Sequence, residues 1–115
     1  MAMVHVTIHT AKMEESIQFY EDIVGLKLQN DLRKFGGNIV FLAEKEGDTQ
    51  VELIDEPAKA YCGSGISMGF HVGDVEAKRE EVIAKGLNPT PIITPNPQVK
   101  FFFVDDPNGV TVQFI

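Results

Sequence analysis

The sequence predicts an α+β fold made of two tandem βαβββ modules. Two segments of strict alternation carry this reading, together with a helical pattern after each and a near-constant offset between the halves. In Val4-His5-Val6-Thr7-Ile8-His9 apolar and polar residues alternate, so Val4, Val6 and Ile8 share one strand face and His5, Thr7 and His9 the other. Ile66-Ser67-Met68-Gly69-Phe70-His71-Val72 repeats the pattern. His9 aligns with His71 at an offset of 62, and Gly25-Leu26 with Gly86-Leu87 and Val51-Glu52 with Val112-Gln113 at 61. Self-similarity of this kind outranks any local motif.

The elements follow in order. Thr10 is placed to cap a helix that carries Ile17, Tyr20, Ile23 and Val24 on its inner face, with Glu14 and Glu15 in its first turn and Gly25 at its end. Three strands are expected over 26–32, 38–43 and 49–54, parted by Gly36-Gly37 and Glu46-Gly47-Asp48. The first module therefore spans about residues 1–55, a linker about 56–65, and the second module about 66–115. In the second module Asp74 caps a helix reaching Gly86, with Val75, Val82 and Ile83 inward. Strands are expected over 87–94, 100–104 and 110–115, the last two joined by Asp106-Pro107-Asn108-Gly109. Pro89, Pro91, Pro95 and Pro97 bar a regular central strand in that stretch.

Composition narrows the function. A chain of 115 residues, 43% hydrophobic, is one domain's worth of core and too apolar for disorder. No apolar run approaches the roughly 20 residues of a membrane helix, and no signal peptide is expected. Ten basic side chains against 17 acidic ones give a net charge of −7, which repels a phosphate backbone and argues against nucleic acid. The lone Cys62 makes no intrachain disulfide, so a reducing, cytoplasmic setting is expected.

Sorting the strands by face locates a site. The apolar faces Val4/Val6/Ile8, Val51/Leu53, Ile66/Met68/Phe70/Val72 and Val110/Val112/Phe114 belong under the helices. The opposite faces present His5/Thr7/His9, Gln50/Glu52/Ile54, Ser67/Gly69/His71 and Thr111/Gln113/Ile115. Buried polar groups need partners, so such a surface is wet or lines a pocket. Thr7, His9, Ser67, His71 and Thr111 are its candidate ligand-binding residues, with Phe101 and Phe103 as apolar walls beside Phe41 or Phe35, and Phe102 in the core. His71 lies four residues beyond Ser67, roughly 13 Å along a strand, too far to share one metal ion with it. Cys62 has no neighbour that would activate a thiol, and the charge run from Glu76 to Glu81 reads as a solvated helix face.

The whole-chain order resembles the vicinal oxygen chelate superfamily of glyoxalase I, bleomycin- and fosfomycin-resistance proteins and extradiol dioxygenases. Its marks are the His5 strand, Ser16-Ile17-Gln18-Phe19-Tyr20 ahead of Gly25-Leu26, and Val51-Glu52-Leu53-Ile54. Phe103-Val104-Asp105-Asp106-Pro107-Asn108-Gly109 and the terminal Val112-Gln113-Phe114-Ile115 complete them. The resemblance implies curved mixed sheets forming a cup, helices on the outer face, a small-molecule ligand and a homodimer. It places the family's metal-ligand positions on His5, Glu52, Ser67 and Gln113. Ser67 is a poor ligand, leaving His5, Glu52 and Gln113 for one divalent ion among Ni, Zn, Mn, Co or Fe. Glu52 and Gln113 are the catalytic positions, but an amide accepts no proton at useful pH, so Gln113 is no base and Glu52 would have to serve. Three readings stay open: a glyoxalase-like metal-dependent lyase or isomerase on vicinal oxygens, a metal-free drug-sequestering protein, and an extradiol dioxygenase, whose ligand triad Ser67 breaks.

Overall fold

Each half of the chain builds its own four-stranded mixed sheet, and in both the first strand pairs in parallel with the last. The computed structural model describes residues 1–115, which divide into two units, Met1–Cys62 and Gly63–Ile115. No helix is long and apolar enough to cross a membrane.

In the first unit β1 (His5–Thr10), β2 (Lys27–Asp31), β3 (Ile39–Ala43) and β4 (Gln50–Asp55) lie in the order β1-β4-β3-β2. The crossover carries α1 (Met13–Phe19), which widens into a π-type turn over Tyr20–Val24. Its buried residues Met13, Ile17, Phe19, Tyr20 and Ile23 join Ile8, Val40, Leu42, Val51 and Leu53 in one apolar core. Gly25, at φ 88°, ends the helix in the left-handed region, where a side chain would be strained. The start corrects the expected cap. The Thr10 hydroxyl accepts from the Lys12 amide at 2.8 Å, ahead of a helix that begins at Met13 with no side-chain cap. A reach of two residues closes a local turn before the helix instead of satisfying an amide inside it.

In the second unit β5 (Ser67–Phe70), β6 (Ile93–Asn96), β7 (Val99–Asp105) and β8 (Thr111–Phe114) lie in the order β5-β8-β7-β6. The crossover carries α2 (Val75–Ala84), capped as expected by Asp74, whose carboxylate accepts from the Ala77 amide at 2.9 Å. Val75 and Val82 are buried, but Ile83 is 41% exposed, against expectation. Lys78 fills part of the inner face instead. Its side chain is only 14% exposed, its ammonium lies 5.1 Å from the Phe114 ring centroid, and it pairs with Glu81 at 3.1 Å. The strand expected over 87–94 shrinks to Ile93–Asn96, because Pro89 and Pro91 have no amide proton to give a ladder. Thr90 between them ties that stretch to β7, its amide donating to the Phe103 carbonyl and its hydroxyl accepting from the Phe103 amide, each at 2.9 Å. The turn before β8 is built on the buried Asp106, which accepts from the amides of Asn108 and Val110 at 2.8 and 2.9 Å.

Phe102 is fully buried, its ring centroid 5.3 Å from that of Phe114. Phe102→Ala should cost about 3–5 kcal/mol of stability in urea unfolding. Phe35→Ala, at a residue 83% exposed, should leave the midpoint unchanged. Equal effects would place the core elsewhere.

Candidate functional site

Strand register turns the polar alternation into rows of side chains. In the first unit Thr7 pairs with Glu52 across β1 and β4, and Glu52 with Phe41 across β4 and β3. Glu52 sits on a strand flanked on both sides, which leaves it 8% exposed. A carboxylate so placed needs partners. The Thr7 hydroxyl donates to Glu52 Oε1, and His5 Nε2 stands 3.4 Å from the same oxygen. The Phe41 ring meets the His5 ring edge-on at 5.9 Å between centroids. One row further, His9 Nδ1 lies 2.7 Å from Glu56 Oε1, and the His9 carbonyl accepts from the Tyr61 amide at 2.8 Å.

The second unit repeats the register with other chemistry. Gly69 pairs with Gln113 across β5 and β8, and Gln113 with Phe103 across β8 and β7. Ser67 pairs with Thr111, whose hydroxyl donates to Asp105 Oδ1 at 3.1 Å. Phe101 and Phe103 are half-buried and meet edge-on at 5.4 Å. No hydrogen bond within the chain ties the half-exposed Gln113 carboxamide; its Oε1 lies over Gly69, 3.0 Å from where a Cβ would stand. His71 falls beyond the end of β5 and is exposed.

Two groupings of expected site residues therefore emerge, each within one unit: His5 with Thr7, Glu52 and Phe41, and Ser67 with Thr111, Gln113, Phe101 and Phe103. Phe35 belongs to neither; it ends the 3₁₀ turn Leu32–Phe35, off the sheet. Sequence reasoning missed Glu56 and Tyr61. The Tyr61 hydroxyl is buried without a hydrogen-bond partner. Both lie in the stretch read as linker, where no periodicity marks a face.

The donor chemistry can be tested against a metal ion. Two ligands about 2.1 Å from a tetrahedral ion stand about 3.4 Å apart, which is the His5–Glu52 separation. Within either unit, no group of three or more His, Cys, Asp or Glu side chains is placed to hold an ion. The repeat partner of Glu52 is an amide, and that of His5 is a serine. Two strong ligands, one already bonded to a hydroxyl, do not fit a tightly held ion of the three- or four-ligand type.

Comparison with known proteins gives a consistent picture. A family model described as the Glyoxalase/Bleomycin resistance protein/Dioxygenase superfamily matches residues 2–114. The lactoylglutathione lyase of Haemophilus influenzae is 26% identical, over 100% of this chain and 92% of its own. Among solved structures, an antibiotic binding protein from Streptomyces sp. CB03234 superposes with a TM-score of 0.81 at 21% identity, over 99% of this chain and 93% of its own. The trypanothione-dependent glyoxalase I of Leishmania major superposes with a TM-score of 0.78 at 22% identity, over 100% of this chain and 86% of its own.

Thr7→Val keeps the shape of the first row and removes the hydroxyl that satisfies Glu52. It should destabilise the protein by about 1–3 kcal/mol in urea unfolding, with Glu52→Gln in the same background restoring part of the loss. Unchanged stability in Thr7→Val would mean that water satisfies the carboxylate.

Proposed function

The chain belongs to the glyoxalase/bleomycin resistance protein/dioxygenase superfamily, and on that premise we propose that it binds a small uncharged or cationic organic molecule on the polar sheet faces, without a resident metal ion. The observation that carries this reading is the state of Glu52. Its carboxylate is engaged by Thr7 and faced by His5, while the repeat-equivalent Gln113 is a neutral amide. The pattern suits hydrogen bonding to a ligand better than polarisation of a substrate by an ion. Charge supports the ligand class. The face positions of β1, β3, β4, β5, β7 and β8 hold no lysine or arginine, and the chain carries −7 overall. An anionic thiol conjugate would find no lysine or arginine in the rows of Glu52 and Gln113; the one such side chain on these faces is Lys27, on the edge strand β2 opposite Ala43. The structural likeness to an antibiotic binding protein agrees with sequestration as the task.

A metal-dependent lyase is the second reading, favoured by the separation of His5 and Glu52 and by the sequence likeness to a lactoylglutathione lyase. Glu52 would then be the base, since Gln113 holds no exchangeable proton site of useful basicity. An extradiol dioxygenase stands third, because Ser67 is no imidazole. The proposal includes a homodimer and a reducing, cytoplasmic setting for the free, exposed Cys62.

Thermal unfolding of chelator-stripped protein separates the first two readings. Added Ni, Zn, Mn, Co or Fe should leave the midpoint unchanged, whereas a bound organic ligand, with bleomycin as the first cationic probe, should raise it. A ligand at 100 times its dissociation constant adds about 2.7 kcal/mol, several degrees for a domain of this size. A metal shift abolished by His5→Ala and by Glu52→Ala would overturn the metal-free reading in favour of the lyase. Light scattering should return twice the chain mass of 12.7 kDa; monomer alone would remove the dimer.

A further inference from the structure

The two rows occupy the same register, yet only the first is closed by its own contacts. Thr7, Glu52 and Phe41 correspond to Gly69, Gln113 and Phe103. In the first row a hydroxyl satisfies the carboxylate. In the second the hydroxyl-bearing side chain is missing, and the half-exposed carboxamide has no partner within the chain. Gly69 is absent from the glycines with positive φ, which are Gly25, Gly36, Gly47, Gly65, Gly86 and Gly109. Its backbone is in a conformation that side-chain-bearing residues adopt without strain. What its missing side chain provides is space, and the end of Gln113 lies in that space, 3.0 Å from the would-be Cβ.

We infer that Gly69, Gln113 and Phe103 form a recognition notch for the carboxamide or lactam edge of a planar aromatic ligand. A primary amide side chain offers a donor and an acceptor side by side, so its natural complement is a group with a carbonyl and an N–H on one edge. The edge-on pair Phe101 and Phe103 borders it in the sheet and supplies apolar surface for the ring system that bears that edge. Charge excludes the carboxylate analogue. The only ionisable side chain on the face positions of β5, β7 and β8 is Asp105, an acid, which repels an anion and finds no basic neighbour in the row. Gly69 acts as a positioning residue, and Gln113 as the group that touches the ligand. This deepens the small-molecule reading above and rests on it.

The test uses the full chain and three probes of one shape: 1-naphthamide, 1-naphthoate and 1-naphthalenemethanol. Binding is followed by NMR on the Gln113 side-chain amide and the Phe101 and Phe103 rings. Two net hydrogen bonds of about 1 kcal/mol each should make the amide about tenfold or more tighter than the alcohol, with the carboxylate weakest. Gly69→Ala forces the flexible carboxamide aside without touching the core, and Gln113→Leu deletes it. Each should bring the amide down to the affinity of the alcohol while the alcohol itself keeps its own. Equal affinities for amide and alcohol in the native chain, or an amide preference that survives both variants, would overturn the notch and leave the small-molecule reading standing. Failure of all three probes to move any of these resonances would overturn both on this face.

Discussion

The parallel pairing of the first strand of each module with its last is the constraint from which the rest follows. Parallel neighbours cannot be joined by a tight turn; they require a crossover, which here carries a helix and two antiparallel strands. The crossover puts the helix over one sheet face, so that face becomes core and the other is left for polar residues. The same pairing makes β4 and β8 interior strands, each flanked by a parallel and an antiparallel neighbour. A polar side chain on such a strand is hemmed in on both sides, which is why Glu52 is buried and its bonds to neighbours matter.

Packing and polarity are tied together by the two-residue period of the strand. In β8, Val112 and Phe114 are fully buried while Thr111 and Gln113, which alternate with them, stay half-exposed. A register slip of one residue would bury an amide without partners and expose a phenylalanine. The core thereby fixes which side chains the polar face presents, and the edge-on aromatic contacts, Phe41 with His5 and Phe101 with Phe103, fall on that side by the same rule. On the other side the Lys78 ammonium lies over the Phe114 ring, while Ile83 of the same helix turns outward.

Repetition of a backbone register has not kept the chemistry repeated. One row is ionisable and satisfied from within; its counterpart is neutral and open. Family membership fixes the scaffold, and a scaffold of this kind hosts several unrelated activities. Within this chain the equivalent positions differ in a few side chains, Glu52 against Gln113 and Thr7 against Gly69, on the same architecture.

By itself the sequence determined the order of elements, the two modules and the faces of β1, β4, β5 and β8, but not the irregular registers of β2 and β6. Those properties depend on alternation, helical spacing, Gly25, the Asp74 cap and the turn at Asp106, all of which act over a few residues. It misplaced what neighbours decide. Thr10 closed a local turn instead of capping α1, and the proline-rich stretch gave up most of its strand to bonds through Thr90. Tertiary structure alone decided that Thr7 serves Glu52, that Glu56 reaches back to His9, and that the Gln113 amide rests over Gly69. Each of these contacts joins residues 44 or more positions apart. No periodicity encodes such a distance; it exists only once the parallel register has been chosen.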